Sequence, residues 1–253
     1  MAYLDSPPAV AAALGVAAGG ADQTKQRVAG SSRGTHAVNG RSTVTWPLLA
    51  DDFFRLCHHD STGRPLLHPR VAGIGLAAAL IGELAFTDKI TIDQAHLLVV
   101  ACTPPTDALA HTVLDHMSGE AQVLPIRTWL AFLGGFAHDE VAQRLMRARH
   151  VRPKENRRLL RRTVTYVPTD VNTAAWPTAR LSMRLRQHQP LDHGDTFLAG
   201  LARATDLHLH ILDRAPRAAF EYLASQVDAA WHGTREVLHH TQAAVGDGVL
   251  SAR

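Results

Sequence analysis

The sequence predicts a mainly α-helical fold, one compact multi-helix domain around a Gly/Ala-rich central helix, with one or two short β-hairpins. Three observations carry this. Leu, Ala and Val dominate while aromatic residues make up only 6% of the chain, a composition that leans towards helix over sheet. Apolar residues recur at helical spacing through most of the chain. Only two short stretches read as strands.

Residues 1–44 are Ala, Gly, Ser and Thr with scattered charge and almost no large apolar side chains. Such a segment cannot bury enough surface to offset the entropy of ordering, so it reads as a disordered tail before a domain at 45–253. Folded sequence starts near Trp46. Pro47 suits a first helical turn, and Leu48, Leu49, Phe53 and Leu56 fall at helical spacing in "LLADDFFRLCHH". "HDSTGRP" then has the Asp, Ser, Gly and Pro of a turn. The helix expected at roughly 70–86 carries Gly75, Ala79 and Gly82, which admit another helix at close range, so it is the central one.

"DKITIDQAHLLVVAC" alternates and is rich in β-branched residues, as in a short hairpin. In "TPPTDALAHTVLDHM" Thr106 is the expected N-cap before Leu109, Val113 and Leu114. "IRTWLAFLGGF" is a short amphipathic helix closed by Gly134 and Gly135, and another helix runs from Asp139 to about Arg149. "HVRPKENRRLLRRTVTYVPTD" reads as two short strands around "PKEN". Helices in "PTARLSMRLRQHQ" and "LDHGDTFLAGLARATDL", then a final pair from Arg217 to Val245, complete the inventory.

Charge is unevenly placed. The net charge is +3, but Arg144 to Arg162 holds nine Lys/Arg against one Glu, leaving −5 for the rest. A mildly acidic body with one strongly basic segment attracts polyanions locally. Cys57 and Cys102, with no CxxC, read as two buried free thiols of a reducing cytosol. No secretory signal is visible, and the longest apolar run, "VAGIGLAAALIG", stops at Glu83, well short of the ~20 residues that span a bilayer.

The densest collection of chemical side chains is "LADDFFRLCHHDSTGRPLL". Paired aspartates on a helix can hold magnesium against a diphosphate, but Arg55 stands where a third carboxylate is needed. Asp51 and Asp52 are more simply acids at the positive end of a helix dipole. His58 and His59 point about 100° apart on a helix, and the pairs His111/His116, His208/His210 and His239/His240 are no better placed to share an ion. Asp60, Ser61 and Gly63 read as turn chemistry. With no HExxH, GxSxG, Walker-type loop or GxGxxG, no catalytic site, metal or cofactor is expected.

Taken in order, several segments resemble the Golgi phosphoprotein 3 family and its bacterial relatives. Asp60, Thr62 and Gly63 fit that family's acidic "D-x-x-G" turn, and Glu83, Leu84, Ala85 and Ile90 fit the helix end "ELAL-x-G-x-I". "TPPTDALAHTVLDHM" is similar to "PTGD-x-LLDE-x-L", "IRTWLAFL" to "V-x-x-W-I-x-x-L", and "VAQRLMRARHV" to the helix that leads into a hairpin. "TAAWPTARLSMRLRQ" and "FLAGLARATDLHLHIL" resemble the family's last blocks, so the likeness runs from about Trp46 to Val245.

The resemblance implies a helical domain with a projecting hairpin and no catalysis. It also implies a cytoplasmic protein in peripheral contact with membranes, which binds phosphatidylinositol 4-phosphate through a basic pocket and engages protein partners. Carried over position by position, that pocket is altered. His68 stands at its tryptophan, Ala77 at its first arginine, and Asp139 and Ala142 at its later arginines. The expected headgroup-binding residues are therefore the other cations: Arg70, Arg144, Arg147, Arg149, Arg152, Arg157, Arg158, Arg161 and Arg162, extended by Lys154. Leu159 and Leu160 would insert shallowly. A homo-oligomer through the hairpin is a further expectation. The competing reading is nucleic-acid binding by a winged-helix-like basic hairpin.

Overall fold

The computed structural model describes residues 48–158 and 161–250, with backbone alone at 156–158, 161–163 and 248–250. The expected tail at 1–44, Trp46, Pro47, Leu159 and Leu160 lie outside the described residues.

α1 (Leu49–Leu56) is buried along nearly its whole surface, Asp51 and Asp52 included. It runs into the turn expected at "HDSTGRP", where Gly63 has φ +66. A Cβ at Gly63 would stand 2.0 Å from the carbonyl oxygen of Tyr166, so glycine is required twice over, by backbone conformation and by contact. α2 (Pro69–Phe86) then starts with proline at its first position and His68 accepting from the Arg70 amide. β1 (Ile90–Asp93) and β2 (His96–Val99) form the first hairpin. Its two-residue turn places both Gln94 and Ala95 at positive φ, as a tight hairpin demands.

α3 (Ala108–Gly119) is capped by Asp107, whose carboxylate accepts from the Ala110 amide; the expected cap, Thr106, lies one residue too early. α4 (Ile126–Gly134) ends with Gly135 in right-handed backbone, φ −67, so these glycines do not close the helix by a left-handed cap. Gly134 serves instead a crossing: a Cβ on Gly73 would meet its carbonyl oxygen at 2.4 Å. α5 (Ala137–Arg147) leads into β3 (Val151–Arg158), which pairs antiparallel with β4 (Arg161–Pro168). "PKEN" lies inside β3 and the chain reverses only between Arg158 and Arg161, because pairing continues through the arginines.

α6 (Val171–Arg186), α7 (His193–Ala204), the single-turn α8 (His208–Ile211), α9 (Arg217–Asp228) and α10 (His232–Leu250) follow. The turn α8 has too few residues for periodicity to reveal. Among the described residues the fold is thus mainly helical, with ten helices and two small antiparallel sheets.

α2 is the hub. It packs against α1, α3, α4, α5, α7, α10 and β1, and every residue from Ala72 to Leu84 is buried. Among the described residues it is the one helix long and apolar enough to cross a membrane, yet 72% of it is buried by its neighbours. Its apolarity is explained by this central position. Cys57 is buried as expected, but Cys102 is exposed, since it lies in the loop between β2 and α3.

Candidate functional site

The interior holds two ion-pair networks that decide which cations face solvent. In the first, Arg144 on α5 is only 7% exposed. Its Nε donates to Asp51 at 2.8 Å, one Nη to Asp107 at 2.9 Å and both Nη to Glu83 at 3.2 Å. Glu83 also accepts from the Ala50 amide at 2.8 Å. Burial pushes the Glu83 and Asp51 carboxyls above their ordinary range, with Arg144 pulling against it. Burial works against charge on Arg144 too, but Glu83, Asp51 and Asp107 outweigh it and hold its pKa up.

In the second network Arg180 bridges Asp52 at 3.0 Å and Asp195 at 2.9 Å, while Arg55 and Arg184 hold the remaining carboxylate oxygens. Asp51 and Asp52 are therefore anchors for arginines from α5 and α6, and their role extends well beyond the helix dipole. Arg144 is removed from the headgroup-binding set: its guanidinium is committed to three carboxylates. The partners lie 93, 61 and 37 residues away, so local reading of a basic run could not separate it from its neighbours.

The rest of the segment is different. Arg147, Arg149, Arg152 and Lys154 are exposed, and none of these four side chains has an ion-pair partner among the described residues. Arg149 takes positive φ, +60, directly after α5, where its amide and that of His150 bond back to Met146 and Leu145. Glycine usually occupies such a position, and a non-glycine residue there costs about 1 kcal/mol. The β3–β4 register sets Arg157 opposite Arg162 and Arg158 opposite Arg161.

Arg70 is placed elsewhere. It lines a concavity of about 380 Å³ with Ile74, Arg127, Ala131, Gly134 and Asp247, and no residue of Arg147–Lys154 borders it. Arg127 pairs there with Asp247. Of the positions that depart from the headgroup pattern, Ala77 and Ala142 are fully buried core residues, and His68 and Asp139 are exposed. The nine expected cations thus form no single pocket: one is internal, one lies in a separate concavity, and the others follow the α5–hairpin segment.

One arrangement was invisible in the sequence. His58, at the end of α1, is 8% exposed and faces His138, at the start of α5, with their Nε2 atoms 3.4 Å apart. The two are 80 residues apart, so no spacing rule joins them. Burial pushes His58 down to about 4, the Phe54 carbonyl opposing this and His138 adding to it. Among the described residues no three His, Cys, Asp or Glu side chains gather as metal ligands.

No curated protein matches the chain. A protein-family model does, over residues 49–245, which takes in all the elements from α1 into α10, both ion-pair networks and the basic hairpin. On that match the chain belongs to the family described as Golgi phosphoprotein 3 (GPP34).

Proposed function

We propose that the chain is a cytoplasmic adaptor without catalytic activity, held at membranes by anionic, phosphoinositide-like headgroups that meet the α5–hairpin segment. Family members are generally non-catalytic adaptors that associate peripherally with membranes. The observation that carries the reading is the division of cations. Arg55, Arg144, Arg180 and Arg184 are neutralised within the fold, whereas Arg147, Arg149, Arg152 and Lys154 stand exposed without ion-pair partners among the described residues. Arg157, Arg158, Arg161 and Arg162 continue the basic sequence along the paired strands of the hairpin.

Each basic side chain near an anionic leaflet contributes about 1 kcal/mol, and salt screens the attraction over ~8–10 Å. Several together give useful affinity with weak headgroup specificity. That fits a family pocket whose arginine positions hold Ala77, Ala142 and an aspartate, Asp139, that repels phosphate. The Arg70–Arg127 concavity is a secondary contact.

The nucleic-acid reading gains one feature, because α4, Gly135–Phe136, α5 and the hairpin follow each other as a helix–turn–helix and wing would. It loses on charge. A recognition helix presents its N-terminal residues to base edges, and α5 exposes Asp139 there while Val141, Ala142, Arg144 and Leu145 are buried.

Co-sedimentation of the full chain with neutral and phosphatidylserine-containing vesicles tests the proposal. The expected result is binding to the anionic vesicles alone, falling as salt rises. Equal binding to both, or tighter binding to duplex DNA at the same moderate salt, would overturn it.

A further inference from the structure

We infer that His58 and His138 form an acid-sensitive latch that fastens the base of the β3–β4 hairpin to the body of the fold. His58 is 8% exposed, and its ring stacks on Phe54 with centroids 4.2 Å apart. Its Nδ1 lies 2.7 Å from the Phe54 carbonyl oxygen. A carbonyl only accepts, so Nδ1 carries the ring's proton and Nε2 is left as the acceptor. The Nε2 of His138, 3.4 Å away, donates to it. One hydrogen bond between side chains thus ties the end of α1 to the start of α5.

Both nitrogens of His58 are engaged, and this makes the contact sensitive to acid. A second proton on the ring can go only to Nε2, where it faces the N–H of His138 across the same gap. The hydrogen bond then becomes an opposition of two donors, around a charge held in a buried site. Among the described residues no carboxylate bonds to the His58 ring to offset that charge. The acids nearby are engaged elsewhere: Asp52 with Arg55 and Arg180, Asp60 with His59, Asp139 with His138, and Asp170 with the Asn172 amide at the start of α6. On the other side of α1, Asp51 and Glu83 are held by Arg144. His150 and Tyr166, which border the same small cavity as His58, bring no carboxylate. Burial accordingly pushes His58 down to about 4, with His138 adding to the effect.

The hairpin base rests on this pair. Tyr166 of β4 lies against the rings of His138 and Phe54, with centroids 5.9 and 6.1 Å apart, and stands opposite Pro153 in the ladder. An unfolded histidine titrates near 6.5, so the neutral ring's contribution is complete above that pH and is lost as the pH falls towards 4. At neutral pH the latch is closed. Acid opens it and frees the hairpin from its fixed seat, whatever that segment binds.

Hydrogen exchange of the full chain at pH 7 and pH 5, corrected for the intrinsic effect of pH, tests the latch. Protection of Val151–Lys154 relative to α2 should fall about tenfold from pH 7 to pH 5 in the wild type. In His58→Gln, which has nothing to protonate, that fall should vanish. In His138→Gln the amide can turn its oxygen towards a charged His58, so the fall should shrink. His138 is partly exposed, so this variant decides the matter even if His58→Gln does not fold. No fall in the wild type, or an undiminished fall in His138→Gln or His58→Gln, would overturn the latch.

Discussion

Arg144 serves Asp51, Glu83 and Asp107 with one guanidinium inside the fold. Replacing it leaves three carboxylates facing each other, and breaking a buried pair this way costs about 3–5 kcal/mol. Arg144→Met should lower stability to urea by that amount. A loss within about 1 kcal/mol, the range of exposed pairs, would show that the cluster is not buried as described. Glu83 adds a pH dependence. Its folded pKa is raised above 4.5, chiefly by burial, so the folded chain holds that proton more tightly than the unfolded chain does. Its contribution to stability therefore grows as pH falls from neutrality through the folded pKa and is complete below about 4.5. Glu83→Gln should reduce this rise, with buried Asp51 supplying what remains, and thermal denaturation between pH 7 and 4.5 measures it. None of this was legible at the residue scale. Arg144 differs from Arg147 only by its tertiary partners, and His58 met His138 only once the helices packed.

At the scale of elements, Gly63 links the "D-x-x-G" turn to the hairpin, because its missing Cβ leaves room for the Tyr166 carbonyl in β4. Gly63→Ala imposes a left-handed conformation on a Cβ residue and a backbone clash. It should cost about 2–3 kcal/mol and reduce hydrogen-exchange protection in Val151–Lys154 more than in α2. Equal loss in both elements would mean that the turn supports the whole fold rather than the hairpin base. Elements were the legible scale. The Gly/Ala-rich central helix, both hairpins and nearly all the helices follow from periodicity and turn residues. The errors lie at the boundaries, where one chemical detail decides. Asp107 outcompetes Thr106 as a cap, Gly134 answers to Gly73 across a crossing, and the pairing of arginines carries β3 past "PKEN".

At the scale of the whole molecule, what matters is where charge is neutralised. Carboxylates of the acidic body take up Arg55, Arg144, Arg180 and Arg184, while Arg147, Arg149, Arg152 and Lys154 stand exposed together between α5 and the hairpin. The basic run was visible in the sequence, but its division into internal and external members was not, because that depends on which face of α5 meets α1 and α2. The most direct test compares two charge reversals by vesicle co-sedimentation at matched salt. One variant changes Arg147, Arg149, Arg152 and Lys154 to Glu; the other changes the exposed Arg214 and Arg217, which flank the start of α9, to Glu. At ~1 kcal/mol per charge, the first should lose at least tenfold in affinity for anionic vesicles while the second keeps most of it. Equal loss per charge in both variants, or none in the first, would contradict the account.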